Sequence, residues 1–362
     1  MPLPIRLLIA LLLAGCSQLC LALNIAFINP GRHDEPFWRT AGEAMQAAAQ
    51  SLGVQFEQLF AERDPERMVQ LARDIAARAP AQRPDYVILV NEKGTLVQSA
   101  QVLGSAGIKS FAAFNGLLPQ DLQRFAPRRG LPLLMGSLES PAEEAGYLTM
   151  KTLIRQAAAG STGQRLQLLA INGDRSTPVS IQRNNGMRRA LAEHPEVELL
   201  QQSFADWRRD LAEQQAGALL ARHPGVRMIW TASDLMAFGA MDAASRAGRK
   251  PGQDLFFASI NTSKEAMLAL IDGRLSSLAG GHFLAGAWAI VMLYDLHGGR
   301  DFAQDEGLTL QRSLFMQFGQ AEARRYLARY GEGIKELDFR RYSKLLNPAV
   351  KRYAFDSLPL LR

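Results

Sequence analysis

The stretch NIAFINPGRHDEPFWRTAGEAMQAAAQSLG, residues 24–53, contains the pattern from which the fold follows. Its first six residues form a nearly continuous apolar run that ends at Pro30 and Gly31, as is typical of a strand buried on both faces. Residues 37–52 then predict a helix that ends at Gly53. A buried strand followed directly by a helix is the repeating unit of a parallel sheet covered by helices.

The same alternation continues along the chain and then begins again. Strands are predicted at 54–60, 86–90 and 108–114, with helices at 65–79 and 96–106 between them. A second set follows, with strands at 166–171, 197–204, 226–231 and 255–260 and helices at 180–193, 208–222, 233–247 and 263–272. The sequence therefore predicts an α/β fold of two doubly wound parallel-sheet lobes joined by a hinge. A length of 362 residues suits two lobes, and the hydrophobic content of 48% excludes a disordered chain.

Glycines predict where the chain crosses between the lobes, since glycine readily absorbs backbone rotation. The crossings are expected near 136, at 280–281 and within 307–311. These positions assign residues 24–135 and 282–307 to the first lobe, and residues 136–281 and 308–330 to the second lobe. Residues 331–362 form a basic C-terminal extension, which either docks a partner or is a solvated surface.

The N-terminal segment predicts export. The apolar run 7–14 is far shorter than the ~20 residues that a membrane-spanning helix needs, so residues 1–22 are interpreted as a signal peptide. Two cleavage sites compete. Residues 13–16, LAGC, resemble the lipobox of bacterial lipoproteins, in which Cys16 would be lipidated, whereas cleavage after Ala22 would release a soluble protein. Both alternatives lead to the periplasm or another part of the cell envelope.

Polar and aromatic side chains follow the predicted strands of both lobes. In an open α/β sheet, ligands bind beyond the carboxyl ends of the strands, so these side chains are the candidates for ligand binding. Aromatic rings stack on the apolar face of a sugar, while amide and guanidinium groups pair with its hydroxyls. The candidates in the first lobe are Asp34, Phe37, Trp38, Asn91 and Asn115. Those in the second lobe are Arg183, Trp207, Ser233, Asp234 and Asn261.

Four motifs resemble those of type I periplasmic binding proteins, the substrate-binding proteins of ABC transporters, near the ribose-binding and autoinducer-2-binding branch. The resemblance extends over residues 24–330 and rests on PFW at 36–38, RNNG at 183–186, FADW at 204–207 and TASDLMAFGAMDAA at 231–244. It implies that Trp38 and Trp207 enclose the ligand between the lobes. It also implies that Arg183 reaches the ligand from the second lobe.

Departures from the resemblance affect the ligand more than the fold. Ribose and galactose binders place an Asp where this chain has Phe114 and Asn115, and a second Asp where it has Asn261. The Gln or Arg that they carry near Gly281 is absent. The autoinducer-2 pocket is not reproduced either, since Ile260 stands where its Trp would be. The sequence therefore leaves the ligand unassigned.

Each candidate also has a structural alternative. Phe37 opens a helix, where an apolar residue usually packs, and Arg183 also suits a helix surface. Asparagine is favoured in turns after strands, and Asp34 also suits a turn. Asp234 can cap the helix that begins there.

The function that the sequence predicts is capture of a small, sugar-like ligand by hinge closure and its presentation to an ABC-type permease. The alternative is presentation to a membrane sensor kinase or cyclase, and the least favoured class is an enzyme. No cofactor, metal or nucleic acid is expected, because no phosphate-binding, zinc or helix-turn-helix motif occurs and both cysteines lie within the first 22 residues. The protein is expected to act as a monomer.

Overall fold

A computed structural model describes residues 23–159, 165–334 and 337–356. They form two six-stranded sheets, which confirms the predicted two-lobed α/β fold. The first sheet contains β1 (Asn24–Asn29), β2 (Gln55–Phe60), β3 (Tyr86–Leu89), β4 (Lys109–Phe114), β5 (Leu134–Glu139) and β11 (Thr309–Gln311). The second contains β6 (Leu166–Asn172), β7 (Val197–Phe204), β8 (Met228–Thr231), β9 (Phe256–Ile260), β10 (Ser277–Gly280) and β12 (Met316–Phe318).

Both sheets follow the same doubly wound order. The first runs β11-β5-β4-β3-β1-β2 with every pairing parallel. The second runs β12-β10-β9-β8-β6-β7, in which β12 alone is antiparallel. The first lobe carries α1 (Pro36–Leu52), α2 (Pro65–Ala76), α3 (Leu96–Ser105), α4 (Pro119–Phe125) and α10 (Ala285–His297). The second carries α5 (Ala142–Ala158), α6 (Pro178–Ala192), α7 (Arg209–Arg222), α8 (Asp234–Arg246), α9 (Lys264–Ile271) and α11 (Gln320–Tyr330).

Strand β1 shows why an apolar run forms the centre of such a sheet. Successive side chains of a strand point to opposite faces. Ile25 and Phe27 accordingly belong to one hydrophobic core, whereas Ala26 and Ile28 belong to another on the opposite face. Both faces are covered, so the strand has no solvent-facing side that would need polar residues.

At two of the three crossings, the sheets place the lobe boundary a few residues later than predicted. Residues 134–139 form β5 of the first sheet, so the chain crosses after Glu139 rather than at 135/136. Residues 309–311 also belong to the first sheet, so the last crossing follows Gln311 rather than residue 307. The reason lies at Gly136, where a Cβ atom would come within 2.7 Å of the Leu308 carbonyl oxygen. That glycine allows two strands to approach closely and is not a hinge.

The remaining crossing lies at Gly281, whose φ of 105° is in the region that favours glycine. From there a short 3-10 turn, His282–Leu284, leads into α10 of the first lobe.

The C-terminal extension returns to the first lobe after α11. Phe355 stacks on Trp288 of α10 with ring centroids 4.8 Å apart, and Phe339 contacts the same ring edge-on at 5.1 Å. Beneath them, the buried carboxylate of Asp295 accepts hydrogen bonds from the extension. Its donors are the hydroxyl groups of Ser343 and Tyr353 and the backbone N–H groups of Lys344 and Leu345. The part of the extension that is described is therefore folded onto α10.

The predicted signal peptide, with Cys16, lies outside the described residues. Among the helices that are described, none has both the length and the apolar character needed to cross a membrane.

Candidate functional site

A cleft between the lobes brings together side chains from the carboxyl ends of both sheets. Its cavity volume is about 40 Å³, so the two lobes lie close together in this arrangement. Eight of the ten predicted site residues line it, namely Phe37, Trp38, Asn115, Arg183, Trp207, Ser233, Asp234 and Asn261. The other lining residues are Glu35, Arg63, Glu92, Val179 and Leu235.

The two remaining predicted residues do not line the cleft. Asp34 is exposed on the turn before α1. Asn91 is buried, but its amide is used by the backbone: it donates to the Gly116 carbonyl at 2.8 Å and accepts from the Leu96 N–H at 3.4 Å. Asn91 thus joins the ends of two strands and the start of α3, which is the turn role that the sequence left open.

Trp38 packs in the hydrophobic core of the first lobe and also lines the cleft. It is 4% exposed and contacts Phe114 at 5.1 Å and Phe37 at 4.9 Å, both edge-on. A Cβ atom at Gly31 would lie 2.0 Å from the indole, so only glycine fits there. The indole Nε1 is buried without a hydrogen-bond partner among the described residues.

Trp207 lines the cleft from the second lobe and is held in place by its own lobe. Its Nε1 donates to the Asp174 carboxylate at 2.8 Å. Burial alone would raise the pKa of Asp174, but hydrogen bonds from Thr177, Ser176 and Trp207 together lower it. Trp207 and Asp206 both have left-handed φ angles, 61° and 48°, which turn the chain sharply after β7.

An ionic cluster that the sequence did not predict forms the first-lobe wall of the cleft. The Arg63 guanidinium binds the carboxylate of Glu35 in a bidentate arrangement and that of Glu92 at 2.8 Å. Burial raises the pKa of Glu92, and Arg63 opposes this rise. Polar residues at the ends of β1, β2 and β3 were the available signal, but the end of β2 was not among the positions considered.

Arg63 also lies between the two tryptophans. Its guanidinium carbon is 5.9 Å from the ring centroid of Trp38 and 5.7 Å from that of Trp207. Cations are attracted to indole rings at such distances. The space between the rings, where the ligand was predicted, is therefore shared with an arginine of the first lobe.

Arg183 lines the cleft and contacts His282, which lies behind it and is not a lining residue. Arg183 Nη1 donates to the Ala232 carbonyl at 2.6 Å, and Nη2 lies 2.9 Å from His282 Nε2. The imidazole is stacked between the rings of Phe37 and Phe315, at 4.6 and 4.3 Å. Burial, with a contribution from Arg63, lowers the pKa of Arg183 to about 9. Burial next to Arg183 lowers the pKa of His282 well below its usual value.

The turns after β8 and β9 supply the remaining polar groups. The Asp234 carboxylate accepts from Asn261 Nδ2 at 3.0 Å and from the Ser263 N–H at 3.2 Å. Burial raises its pKa, and these hydrogen bonds limit the rise. Asp234 therefore fixes the orientation of the Asn261 side chain. The backbone of Asn261 has a φ of 105°, in the region that favours glycine.

Several buried polar atoms of the cleft-lining residues and of His282, which contacts Arg183, have no partner among the described residues. They are Trp38 Nε1, Arg183 Nε, Ser233 Oγ, Asn261 Oδ1 and His282 Nδ1. Buried polar groups are nearly always hydrogen-bonded in folded proteins, so a cluster of unpaired ones indicates where a ligand or water binds.

The lobes touch across the mouth of the cleft. Lys93 of the first lobe forms an ion pair with Asp206 of the second at 2.9 Å, and its N–H donates to Thr177 Oγ1 at 3.4 Å. The described residues contain no group of three side chains suited to holding a metal ion.

The neutral state of His282 predicts a pH dependence of stability. Its pKa is lower in the folded protein than in the unfolded chain, so its contribution is present above about pH 6.5 and is lost as the pH falls. At 1.36 kcal/mol per pH unit, the loss reaches up to about 2 kcal/mol at pH 5. We expect His282→Gln to lessen the drop in unfolding free energy between pH 7 and pH 5 by this amount, measured by urea denaturation. An unchanged drop in His282→Gln would contradict the assignment.

The periplasmic binding protein domain matches residues 25–301. A periplasmic sugar-binding protein from Pseudomonas fluorescens is 40% identical with a TM-score of 0.85, over 94% of this chain and 99% of that chain. The D-apiose import binding protein of Actinobacillus succinogenes is 25% identical over 264 residues, 73% of this chain and 75% of that protein. The ribose import binding protein of Escherichia coli is 20% identical, over 71% and 77%.

Two α/β lobes around a polar and aromatic cleft define a protein that encloses a small ligand. The chain belongs to the periplasmic binding protein family, and its resemblance to type I sugar-binding members is confirmed. These relatives are substrate-binding proteins, which confirms the expectation that the chain is not an enzyme. They support the sugar-binding side of the resemblance and give no support to the autoinducer-2-binding branch.

Proposed function

We propose that the protein captures a small polyhydroxylated ligand of the sugar type in this cleft and presents it to an ABC-type permease. The observation that carries the proposal is that two indoles from opposite lobes line one cleft together with several buried polar atoms that have no partner among the described residues. Indole faces suit the apolar face of a sugar, and the unpaired atoms suit its hydroxyls. A ligand that contacts both lobes favours the closed arrangement.

The names of the relatives support transport rather than sensing. Two curated relatives are import binding proteins, for D-apiose and for ribose. The proposed compartment is the periplasm, to which both cleavage alternatives lead, and the proposed working form is a monomer. The ligand-contacting set comprises the eight predicted residues that line the cleft, joined by Glu35, Arg63 and Glu92.

We expect a sugar ligand to raise the unfolding temperature of the protein. At 100 times its Kd, a ligand that binds only the folded state adds ~2.7 kcal/mol to stability. A thermal-shift screen over pentoses, hexoses, polyols and sugar acids, followed by calorimetry, measures this effect. The proposal fails if no compound of these classes binds.

Trp207→Ala tests where the ligand lies. The loss of ring contact should weaken binding by roughly tenfold to a hundredfold, because burial and stacking contribute ~1–3 kcal/mol. Phe256→Ala, on β9 away from the cleft lining, is the control and should bind normally. Equal affinities for wild type and Trp207→Ala would contradict the assignment of Trp207 to the site.

A further inference from the structure

Arg183 is a buried cation that no carboxylate binds directly. The residue is 3% exposed, and its hydrogen-bond partners are the Ala232 carbonyl and the imidazole of His282, both uncharged acceptors. The rings of Trp207 and Phe315 lie 5.7 and 5.9 Å from its guanidinium carbon, and neither ring carries a charge. Its Nε has no partner among the described residues. Burying a charge without a hydrogen-bonded counter-charge is costly, so this position calls for an anion.

The carboxylates nearest to Arg183 are engaged elsewhere. Asp234 exerts an attraction on Arg183, but its oxygens accept hydrogen bonds from Asn261, Ser263 and the N–H of Leu235. The carboxylates of the first-lobe wall, Glu35 and Glu92, bind Arg63 instead. Arg63 is itself a second cation close enough to repel Arg183.

The unpaired atoms of the cleft residues and of His282 are mostly donors. Arginine can only donate, so His282 Nε2 accepts and the imidazole proton lies on Nδ1. Nδ1–H of His282, Nε–H of Arg183 and Nε1–H of Trp38 are then three buried N–H groups without acceptors among the described residues. A carboxylate has about four acceptor positions and no donor, which complements such a set better than hydroxyl groups do.

From these contacts we infer that the ligand is a sugar acid, a polyhydroxylated compound whose carboxylate lies against Arg183. This inference rests on the proposed function and specifies its ligand class. The hydroxylated remainder of the ligand faces Asn115, Asn261 and the first-lobe carboxylates, which accept hydrogen bonds from hydroxyl groups.

Calorimetry on matched pairs tests the inference in the unmodified protein. The pairs are D-ribonate and D-ribose, D-gluconate and D-glucose, and D-galacturonate and D-galactose. We expect at least one acid to bind tenfold to a hundredfold more tightly than its neutral partner, because hydrogen bonds between charged groups are the strong ones. If the acid binds no better than its neutral partner in all three pairs, the inference is overturned. The proposed function is unaffected by that result, provided that a neutral sugar binds. Failure of all six compounds, and of the wider screen, would overturn both.

Variants of Arg183 then identify the group that recognises the charge. Arg183→Gln should remove the preference for the acid, whereas Arg183→Lys should retain part of it. Arg188→Gln, on the same helix but exposed, is the matched control and should keep the preference. Circular dichroism and the unfolding temperature establish that each variant is folded. A folded Arg183→Gln protein that keeps the full preference would overturn the inference.

Discussion

Asp295→Ala is expected to lower the free energy of unfolding by about 3–5 kcal/mol and to release the C-terminal extension from the first lobe. Asp295 is fully buried and accepts four hydrogen bonds from the extension, two from hydroxyl groups and two from backbone N–H groups. Removing the carboxylate leaves these donors unpaired unless the extension detaches and water reaches them. Urea denaturation measures the stability, and limited proteolysis of residues 337–356 reports the detachment.

The size of the loss in unfolding free energy shows whether the extension is an integral part of the fold or only loosely attached to the first lobe. Asp295→Asn keeps the shape and one acceptor oxygen, so we expect an intermediate loss. Asp74→Ala changes an exposed helix carboxylate that pairs with Gln70 and Arg67, and should cost less than about 0.5 kcal/mol. If Asp295→Ala loses under 1 kcal/mol and the extension stays resistant to protease, the extension does not depend on this carboxylate.

Arg63→Met is the second large expected effect, a loss of about 3–5 kcal/mol at neutral pH. The side chains of Glu35 and Glu92 are 5% and 4% exposed, and Arg63 is paired with both. Methionine keeps much of the length of the arginine but leaves two buried carboxylates without a counter-charge. Because the loss arises from unpaired charge rather than from missing volume, we expect it to depend strongly on pH.

The direction of that pH dependence follows from the pKa of Glu92. Burial raises this pKa even with Arg63 present, and removing Arg63 raises it further. A carboxyl whose pKa is higher in the folded state contributes most below its unfolded pKa, near 4.5, and loses that contribution as the pH rises. The deficit of Arg63→Met should therefore be largest at pH 7 and shrink toward pH 4, as measured by urea denaturation across this range.

A triple variant provides the control. Arg63→Met combined with Glu35→Gln and Glu92→Gln removes all three charges, and we expect it to recover most of the lost stability. A triple variant as unstable as Arg63→Met alone would show that packing of the arginine stem, and not its charge, is what matters.

Much of the fold could be predicted because strand and helix patterns are local. The strand at 24–29 was predicted with its observed bounds, and the first helix was placed one residue late, at 37 rather than 36. A strand that is buried on both faces needs a continuous run of apolar residues, and a helix that is buried on one face needs apolar residues with a period of 3.6. Both patterns can be recognised in the sequence. Most of the candidate site residues followed from the same reasoning, since they lie in the turn or the helix start that follows a strand. Arg183 lies within α6 and followed from the RNNG motif instead.

The lobe boundaries that the sequence misplaced depend on contacts between distant segments. Gly136 was interpreted as a hinge, although it is a point where β5 and the segment before β11 approach closely, and the two segments are more than 160 residues apart. A local pattern shows that a position requires glycine, but it does not show whether the reason is rotation or proximity.

The sequence by itself determined the order of most strands and helices, the two lobes and the aromatic residues on each side of the cleft. Only the tertiary structure decided that Glu35, Arg63 and Glu92 form one cluster, because the order β2-β1-β3 places three strand ends side by side. It also decided that Arg183 meets His282 instead of a carboxylate, since these residues are 99 positions apart and meet only where the chain crosses between the lobes. Such partnerships depend on which strand ends become neighbours, and that is set by packing of the whole sheet rather than by any local run of residues.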